Sequence, residues 1–520
     1  MMGSPVRSWI RRLLPKALLR FYDAAIGSNS IWRGKGGGRG QAWSLPRLDD
    51  ELAQSLPTLI ARCRHAFQNS PTARAIVEAK VALIVSTGID IEPTPGIERD
   101  AAALRSAWLM LVECADASGR SNLYEMQRQA WRQIETAGSF IWIIVDLDDP
   151  NRPLPFALHA IEPDLLSPVP VEPIAEGNTF ALGIERDRYA KPIRYHFDET
   201  AASQMTSPLG GSLLPGSGGL PRGISASAPT TRMVLPADRV IHGYRILRPS
   251  QSTGEPGLAP ILNTLHQERR LVEAELTAAL NGAACSVAIV SKGGGGRGLS
   301  DGSTGTDGNG NAEFRLEPGT IFTLDEGEST EVIQNNRPSQ AIAPFRLMLC
   351  GDEAGATGVP QRMINRDVSR ANYSSMRADQ LDTKRIIDPE TAWFGRLVAR
   401  EVYLRAFAQL AVLAMVYIPP RRSLAYRLAT ACEVQTDGWA YVDPQKDVAG
   451  AIDAIRAGLS TFRDERSSRG KDARDLQKRL EAELKNPLLA QIFNDTPTTP
   501  APAQANPPKP APATDPTESV

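Results

Sequence analysis

The sequence lacks the side-chain arrangements on which many enzymes and disulfide-stabilised proteins depend. Its five cysteines are far apart and form no Cys-x-x-Cys pair, so free thiols and a reducing compartment are expected. No two of its five histidines are four residues apart, as they are in helical zinc sites. The residues concerned are Cys63, Cys114, Cys285, Cys350, Cys432, His65, His159, His196, His242 and His266. We therefore expect no metal site and no catalytic residue, and we interpret His196 and His242, in predicted strands, as satisfied structural histidines.

Nucleotide-binding loops and membrane-spanning segments are absent too. No Gly-Lys-Ser or Gly-Lys-Thr triplet occurs, so the chain has no Walker loop to hold the phosphates of a nucleotide. The most apolar stretch lies between Arg405 and Arg421, which have no charged residue between them. This stretch is shorter than the roughly 18 apolar residues that a membrane span requires. We expect no cofactor and no insertion into a membrane.

The overall amino-acid composition is typical of a soluble protein with a buried core. The chain has 520 residues, of which 42% are hydrophobic and 22% charged, and this predicts two to four domains. Its 42 glycines and 40 prolines indicate several loops or linkers. The net charge of −1 supplies no overall field that attracts nucleic acid, so any contact with DNA has to be local.

Residues 1–47 are predicted to form a basic N-terminal arm. Nine lysines and arginines stand against one acid, Asp23, and leucines lie between them. A basic amphipathic helix of this kind can bind a membrane surface, and basic patches also bind DNA. The simpler interpretation is a peripheral arm that packs on a partner or stays mobile, with residues 34–40, mostly glycine, as a flexible joint.

Residues 48–250 predict an α+β region. Helical spacing covers Leu48–Val85, where Ser70 precedes a proline and is a good helix N-cap. It resumes over residues 99–137 and ends at a glycine. The stretch Phe140–Val145 is typical of a buried strand. Further short strands separated by turn residues are expected after it.

Residues 251–345 predict a helix, a glycine-rich loop and a β-hairpin. Leu258–Leu280 has helical spacing, and the hairpin is expected at Glu317–Glu328. Between them, Gly293–Asn311 has too few large side chains to offset the entropy of ordering, so it is expected to be mobile. Deleting this tract should leave the fold intact.

Residues 346–490 are expected to be helical and residues 491–520 to be a disordered, proline-rich tail. The longest pattern runs over Val368–Ile418, with Pro389 as an internal break and Pro419 as part of a double-proline stop. The predicted fold class is therefore α+β and mainly helical.

The apolar side chains of two predicted helices exceed what one subunit is expected to cover. These helices span Leu258–Leu280 and Trp393–Ile418. Packing them between copies of the chain would remove the apolar surface from water, and head-to-tail contacts can close into a ring. Replacing Leu404 or Phe407 with Asp is expected to block folding or assembly, because the charge enters a region without water.

Several motifs occur in the order in which one known family has them. Asn-Tyr-Ser-Ser-x-Arg begins at Asn372, and Trp-x-x-Val-Asp-Pro-x-Lys begins at Trp439. Pro-Gly-x-Ile-x-x-Leu-x-x-Gly-Glu begins at Pro318, and an Asn-Ser-Pro turn follows an arginine-rich helix at Asn69. Together they resemble the portal proteins of lambda-type tailed phages. The motif positions to which the resemblance assigns structural roles are Asn372, Tyr373, Ser374, Ser375, Arg377, Trp439, Asp443, Pro444 and Lys446.

The resemblance implies a portal fold with wing, stem, clip and crown parts, assembled as a ring, by family a dodecamer. Residues 48–250 would be wing-like, 251–345 would hold stem, clip and tunnel parts, and 346–490 stem and crown parts. Implied partners are double-stranded DNA in the channel, the terminase large subunit, major capsid and scaffold proteins, and head-completion proteins, with no membrane. For the loop that holds Lys292 and Arg297 two interpretations stand, a loop in the DNA channel or on an exposed rim and a plain surface insertion. The ring would be assembled in the cytoplasm of a bacterial host and would sit at the portal vertex of the virion.

An alternative hypothesis for the function does not involve a ring. The basic arm at residues 1–47 could make the chain a module that binds DNA or a membrane surface. That interpretation leaves most of the chain without a role. Oligomer size separates the two hypotheses, because a portal is a large closed ring and a binding module is expected to be small.

Overall fold

The computed structural model describes most of the chain from Leu48 to Thr461. The residues up to Thr436 form one compact unit, and those from Asp437 onward belong to a second. The predicted basic arm and proline-rich tail, and the residues Lys292 and Arg297, lie outside the described part. The described residues are 48–96, 98–198, 232–283, 287–291, 304–306, 312–314, 328–332, 342–367, 369, 372–439, 443–461, 465 and 485.

Local capping signals set the ends of the first helices. These helices are α1 (Leu48–Asn69), α2 (Pro71–Ile84), α3 (Glu98–Cys114) and α4 (Leu123–Ala137). The hydroxyl of Ser70 accepts a hydrogen bond from the Ala73 N–H at 3.3 Å, which confirms the predicted N-cap. Asn122 and Glu125 form a capping box at the start of α4. Gly138 ends α4 with a φ of 87°, the left-handed conformation that favours glycine.

Two antiparallel sheets follow α4. The strands up to this point are β1 (Asp90–Pro93), β2 (Ser139–Asp146), β3 (Phe156–Ile161), β4 (Thr179–Ala181), β5 (Ile184–Arg186), β6 (Pro192–Asp198), β7 (Arg232–Pro236) and β8 (Val240–Tyr244). One sheet has the order β3-β2-β8, and the other joins β4 to β7 in sequence order. The first six residues of β2 are buried, so the predicted buried strand at Phe140–Val145 is confirmed.

The predicted helix at Leu258–Leu280 is present as α5 (Leu262–Ala283), after a short 3₁₀ turn. Four strands come next, β9 (Val287–Ser291), β10 (Thr304–Thr306), β11 (Ala312–Phe314) and β12 (Glu328–Val332), with β9 paired to β12 and β10 to β11. Gly293–Asn311 was predicted to be mobile, but it contains β10, whose pairing with β11 supplies hydrogen bonds that composition does not reveal. The predicted hairpin at Glu317–Glu328 lies outside the described residues, apart from the first residue of β12.

The predicted break at Pro389 is wrong. Two helices, α6 (Ile342–Thr357) and α7 (Gln361–Asn365), precede α8 (Tyr373–Gly395), which runs through Pro389 without interruption. Proline removes one backbone donor, but Ile387 and Thr391 on either side of it are buried against the rest of the subunit. Tertiary packing therefore offsets the lost hydrogen bond and keeps the helix continuous.

The long helical pattern also ends earlier than predicted. A wide π turn at Arg396–Arg400 leads into α9 (Glu401–Leu413), and the chain then leaves the helix five residues before Ile418. Met415 has a φ of 53°, and its side chain is 94% exposed. Extending the helix past this point would bury no further side chain, so α9 ends before the two prolines. A short helix α10 (Leu424–Ala429) and a strand β13 (Cys432–Gln435) follow, and β13 pairs with β1.

The core of the first unit is formed by large aromatic side chains from distant parts of the sequence. Trp108 of α3 contacts Tyr403 of α9 with ring centroids 5.8 Å apart, and Trp131 of α4 contacts Phe394 of α8 at 5.0 Å. Phe407 is fully buried within the same subunit. The prediction that the second apolar helix needs a neighbouring copy is therefore wrong for most of α9, because α3 and the other elements of its own subunit cover it.

One prediction concerns Gly138, where α4 meets the turn before α5. A Cβ at this position would collide with the carbonyl oxygen of Gly254. Gly119 also has a positive φ, 68°, but a Cβ there would meet nothing within 4 Å. Both alanine substitutions incur the strain of the left-handed conformation, and only Gly138→Ala adds the collision. We expect Gly138→Ala to lower the free energy of unfolding by about 2 kcal/mol more than Gly119→Ala does.

Chemical denaturation of the two alanine variants and the wild type measures this difference. Equal destabilisation by the two substitutions would contradict the close approach of Gly138 to Gly254.

Candidate functional site

The motif positions at the start of α8 form its N-terminal cap. The Asn372 side chain accepts a hydrogen bond from the Ser375 N–H at 2.8 Å, and the Ser375 hydroxyl oxygen accepts one from the Asn372 N–H at 2.9 Å. This reciprocal pair is a capping box, so Ser375 caps the start of α8. Arg377 donates to the hydroxyl of Tyr373 at 3.1 Å one turn later. Ser374 lies exposed between them.

The second group of motif positions begins a helix in the second unit. Asp443 is the N-cap of α11 (Pro444–Arg456), and its carboxylate accepts from the Gln445 N–H at 3.2 Å. The Lys446 ammonium lies 3.1 Å from the same carboxylate, and its hydrogen bond lowers the pKa of Asp443. Pro444 occupies the first helical position, where its missing N–H costs nothing. The helix therefore begins at Pro444, directly after its N-cap. Trp439 is half-buried.

A buried network of charges joins four elements of the first unit. Glu135 of α4 is 0% exposed and lies 3.2 Å from Lys80 of α2 and 2.5 Å from Arg245, which follows β8. Arg245 also reaches Glu390 of α8 at 3.3 Å. Burial raises the pKa of Glu135, but Arg245 and Lys80 overcome that effect and hold the pKa below its ordinary value. The carboxylate is therefore ionised and ties the helices together.

This network was not predicted from the sequence. Its signal there is Lys80, one of two charged residues in the otherwise apolar run from Ile76 to Val85. A second missed tie joins Asp49 to Ser252, whose N–H and hydroxyl both donate to the Asp49 carboxylate, at 2.8 and 2.6 Å. Arg186 of β5 lies 3.1 Å from the same carboxylate. These groups hold the start of α1 against the turn before α5, and their role is structural.

The interpretation of two histidines as satisfied structural groups holds in part. Nδ1 of His196 accepts from the Val171 N–H at 3.1 Å. In contrast, neither ring nitrogen of His242 has a hydrogen-bond partner among the described residues, so the interpretation is wrong there. The His242 ring packs between Tyr195 and Tyr244. Burial lowers its pKa to about 3.

A pH prediction follows from His242. Its folded-state pKa lies below the unfolded value, so the stability that neutral His242 contributes is present above about pH 6.5 and is lost as the pH falls toward 3. Replacing His242 with Phe removes the proton-binding group from the sheet. We expect the variant to lose less stability on acidification, with a difference on the order of 1 kcal/mol per pH unit in this window.

Thermal unfolding at pH 7 and pH 5 measures the effect. His266→Gln, at an exposed position of α5, is the control and should follow the wild type. If His242→Phe is as sensitive to acid as the wild type, the buried neutral histidine is not a source of acid lability.

Side chains grouped as in a metal site are absent from the described part of the chain. No group of three or more His, Cys, Asp and Glu side chains there is placed to hold a metal ion. A Gly-x-Ser-x-Gly pattern occurs at residues 298–302, outside the described residues, and the next described element is the strand β10 rather than the helix that a nucleophile elbow requires. Among the helices of the described segments, none is both long enough and apolar enough to cross a membrane.

Exposed apolar side chains lie along the part of α5 that leaves the core. Val272, Leu276 and Leu280 are spaced four residues apart, and Leu276 is 60% exposed. The first turns of α8 have no buried residue before Thr383. Apolar side chains exposed on a helix mark a surface that contacts other chains. The ion pairs described above join elements of one subunit. Together these features are typical of a structural subunit that assembles with further chains.

Residues 37–389 match the model of the phage portal proteins of the lambda family, and the chain belongs to that family. It is a structural portal protein of a tailed phage or phage-like particle. The motif positions Trp439, Asp443, Pro444 and Lys446 lie beyond the matched residues, so their family role stays a prediction.

Three known proteins indicate the range of similarity. The chain is 26% identical over 392 residues to a protein described as "Probable portal protein" from Halomonas phage phiHAP-1, covering 73% of this chain and 68% of that one. It is 24% identical over 191 residues to "Portal protein B" of Escherichia phage lambda, covering 34% and 36%. A chain in the structure "Neck of empty GTA particle computed with C6 symmetry" superposes with a TM-score of 0.44 and 16% identity, over 82% of this chain and 93% of that one.

Proposed function

We propose that the chain forms a closed ring, by family a dodecamer, at one vertex of a capsid. Double-stranded DNA enters and leaves through the axial channel. The ring docks the terminase large subunit during packaging and head-completion proteins afterwards, and contacts major capsid and scaffold proteins at its periphery. Membership of the portal family supports the proposal, and the observation that carries it is the exposed apolar stripe of α5.

The stripe on α5 fits a contact between neighbouring copies. Val272, Leu276 and Leu280 recur every four residues, so they lie on one face of the helix. Each apolar side chain removed from water contributes roughly 1.5–3 kcal/mol when fully buried. A head-to-tail contact through this face would repeat around the ring until it closes.

The net charge of −1 also fits a channel through which DNA has to slide. A protein that neutralises many phosphates holds DNA tightly, whereas a nearly neutral ring does not. Lys292 and Arg297 are proposed as the few basic positions of a channel or rim loop. Deleting residues 293–303, which leaves β10 in place, should then preserve the ring and impair DNA packaging or retention.

Leu276→Asp is the test of the ring proposal. The side chain is exposed in the subunit, so the substitution should leave the fold intact while it places a charge in the proposed contact. We expect the wild type to sediment as a large closed ring and the variant to sediment as a folded species of lower mass. Ile246→Asp, at a position that is 67% exposed and outside α5, should still form rings. A wild type that remains monomeric or dimeric even beside scaffold and capsid proteins contradicts the proposal.

The alternative function, a DNA- or membrane-binding module built on residues 1–47, predicts a different outcome. It would be favoured by a small oligomer whose binding to DNA or anionic vesicles disappears when the arm is removed. In either case we propose that the chain has no hydrolase, nuclease or ATPase activity of its own. Deletion of the arm from an otherwise intact ring should leave the ring in place.

A further inference from the structure

Two long stretches of the sequence carry charge of one sign only. Residues 402–432 contain four arginines and no acid. Residues 153–185 contain five acids and neither lysine nor arginine. The structure places much of each stretch on the surface of the first unit, so the two stretches define two surfaces of opposite charge.

The basic surface consists of residues 414–430, between the end of α9 and β13. Arg421, Arg422 and Arg427 are exposed, and none of them has an ion-pair partner in the described part of the chain. Large apolar side chains lie among them, with Tyr417 78% and Leu424 71% exposed. Binding of DNA depends on dense basic contacts to phosphates. A surface with three arginines and several large apolar groups is instead suited to a protein partner that is both acidic and apolar.

The acidic loop consists of residues 162–177, between β3 and β4. It is rich in proline, and Val169 is 59% exposed. Glu162 and Asp164 share one arginine, Arg64. Glu172 pairs with Arg194 at 3.0 Å, and Arg194 also pairs with the buried Glu185. Glu176 is exposed and has no ion-pair partner in the described residues. The acids outnumber the arginines that reach them, so the loop remains negative.

The acidic loop begins at the end of β3 that lies away from α9, the helix that leads into the basic surface. At one end, the Phe156 N–H donates to Gln409 of α9 at 2.9 Å, and α9 leads into the basic surface. The strand β3 then runs from Phe156 to Ile161, a distance of about 17 Å, and the acidic loop begins where it ends. Among the described residues the ion pairs of the loop go to Arg64 and Arg194 and none joins it to the basic surface, so the complementary charges are available to different subunits.

We propose that the basic surface of one copy docks on the acidic loop of the next copy around the ring. The proposal rests on the proposed ring and names a contact within it. A head-to-tail assembly needs two different, complementary surfaces on each subunit, and this pair supplies them. The attraction acts between exposed charges, so it weakens as salt rises. The apolar side chains among the arginines meet the prolines and Val169 of the loop.

The test is a reversal of charge on each side and then on both. The first variant is Arg421→Glu with Arg422→Glu, and the second is Glu172→Arg with Glu176→Arg. We expect each to weaken the association of subunits about tenfold or more in sedimentation and mass photometry. Both changes in one chain should restore the ring. Arg385→Glu reverses an 83% exposed arginine of α8 outside both surfaces, and it should leave the assembly unchanged.

The possible results distinguish failure of the proposed ring from failure of the proposed contact within it. Circular dichroism first establishes that the variants are folded, which matters because Glu172 pairs with Arg194. A wild type that forms no ring contradicts the proposed function before this contact is at issue. A ring that forms equally well in the wild type and both variants overturns the contact and leaves the ring proposal standing. Combined reversal that fails to restore the ring also overturns it, as does a first variant that assembles normally and loses only the binding of DNA.

Discussion

Phe407→Asp is expected to prevent the subunit from folding. The Phe407 ring is fully buried, and it contacts Tyr403 and Tyr426 with centroids 6.0 and 5.8 Å apart. Removing a buried aromatic side chain costs about 3–5 kcal/mol, and an unpaired carboxylate in the same space costs several more. Their sum approaches the entire stability of a typical domain, about 5–15 kcal/mol. The soluble yield and the thermal unfolding transition of the variant are the measurements.

Two further substitutions on α9 calibrate this prediction. Val412 is 72% exposed on the same helix, so Val412→Asp should leave the unfolding temperature nearly unchanged. Leu404 is half-buried, so Leu404→Asp should have an intermediate effect. From the sequence alone, Asp at Leu404 and Asp at Phe407 were expected to have the same effect. A folded Phe407→Asp subunit with a normal transition would show that the ring of Phe407 is not in the core.

Glu135→Ala is expected to lower the free energy of unfolding by about 3–5 kcal/mol. The substitution removes the acceptor that lies 3.2 Å from Lys80 and 2.5 Å from Arg245. Among the described residues, Lys80 then has no counter-charge and Arg245 keeps only Glu390. Leaving a buried charge unpaired costs more than the pair contributes, because the charge has lost its hydration. Urea denaturation of wild type and variant measures the loss.

An exposed pair provides the matched control. Glu273 and Arg269 of α5 lie 2.8 Å apart with both side chains more than half exposed, and Glu273→Gln should cost less than about 1 kcal/mol. The double variant Lys80→Met with Glu135→Leu replaces two charges with apolar groups, and it should recover part of the loss of Glu135→Ala. If Glu135→Ala is no worse than Glu273→Gln, the network is not important for stability.

The sequence determines those features that depend on a few neighbouring residues. Ser70 caps α2 because its hydroxyl reaches the N–H three residues ahead. Asn372 and Ser375 cap α8 for the same reason. The buried strand at Phe140–Val145 follows from a run of β-branched and aromatic side chains. The ordered motifs predicted the lambda-type portal family, and the family match over residues 37–389 confirms that prediction.

Other features depend on which distant residues meet in space, and no local pattern contains that information. Pro389 does not break α8, because burial on both sides outweighs one lost hydrogen bond. Most of α9 is covered by its own subunit, because Tyr403 meets Trp108 nearly 300 residues away in sequence. Glu135 is ionised in the core because two cations from other elements converge on it. Burial, contact and charge pairing arise from the whole fold, so only the tertiary structure decides them.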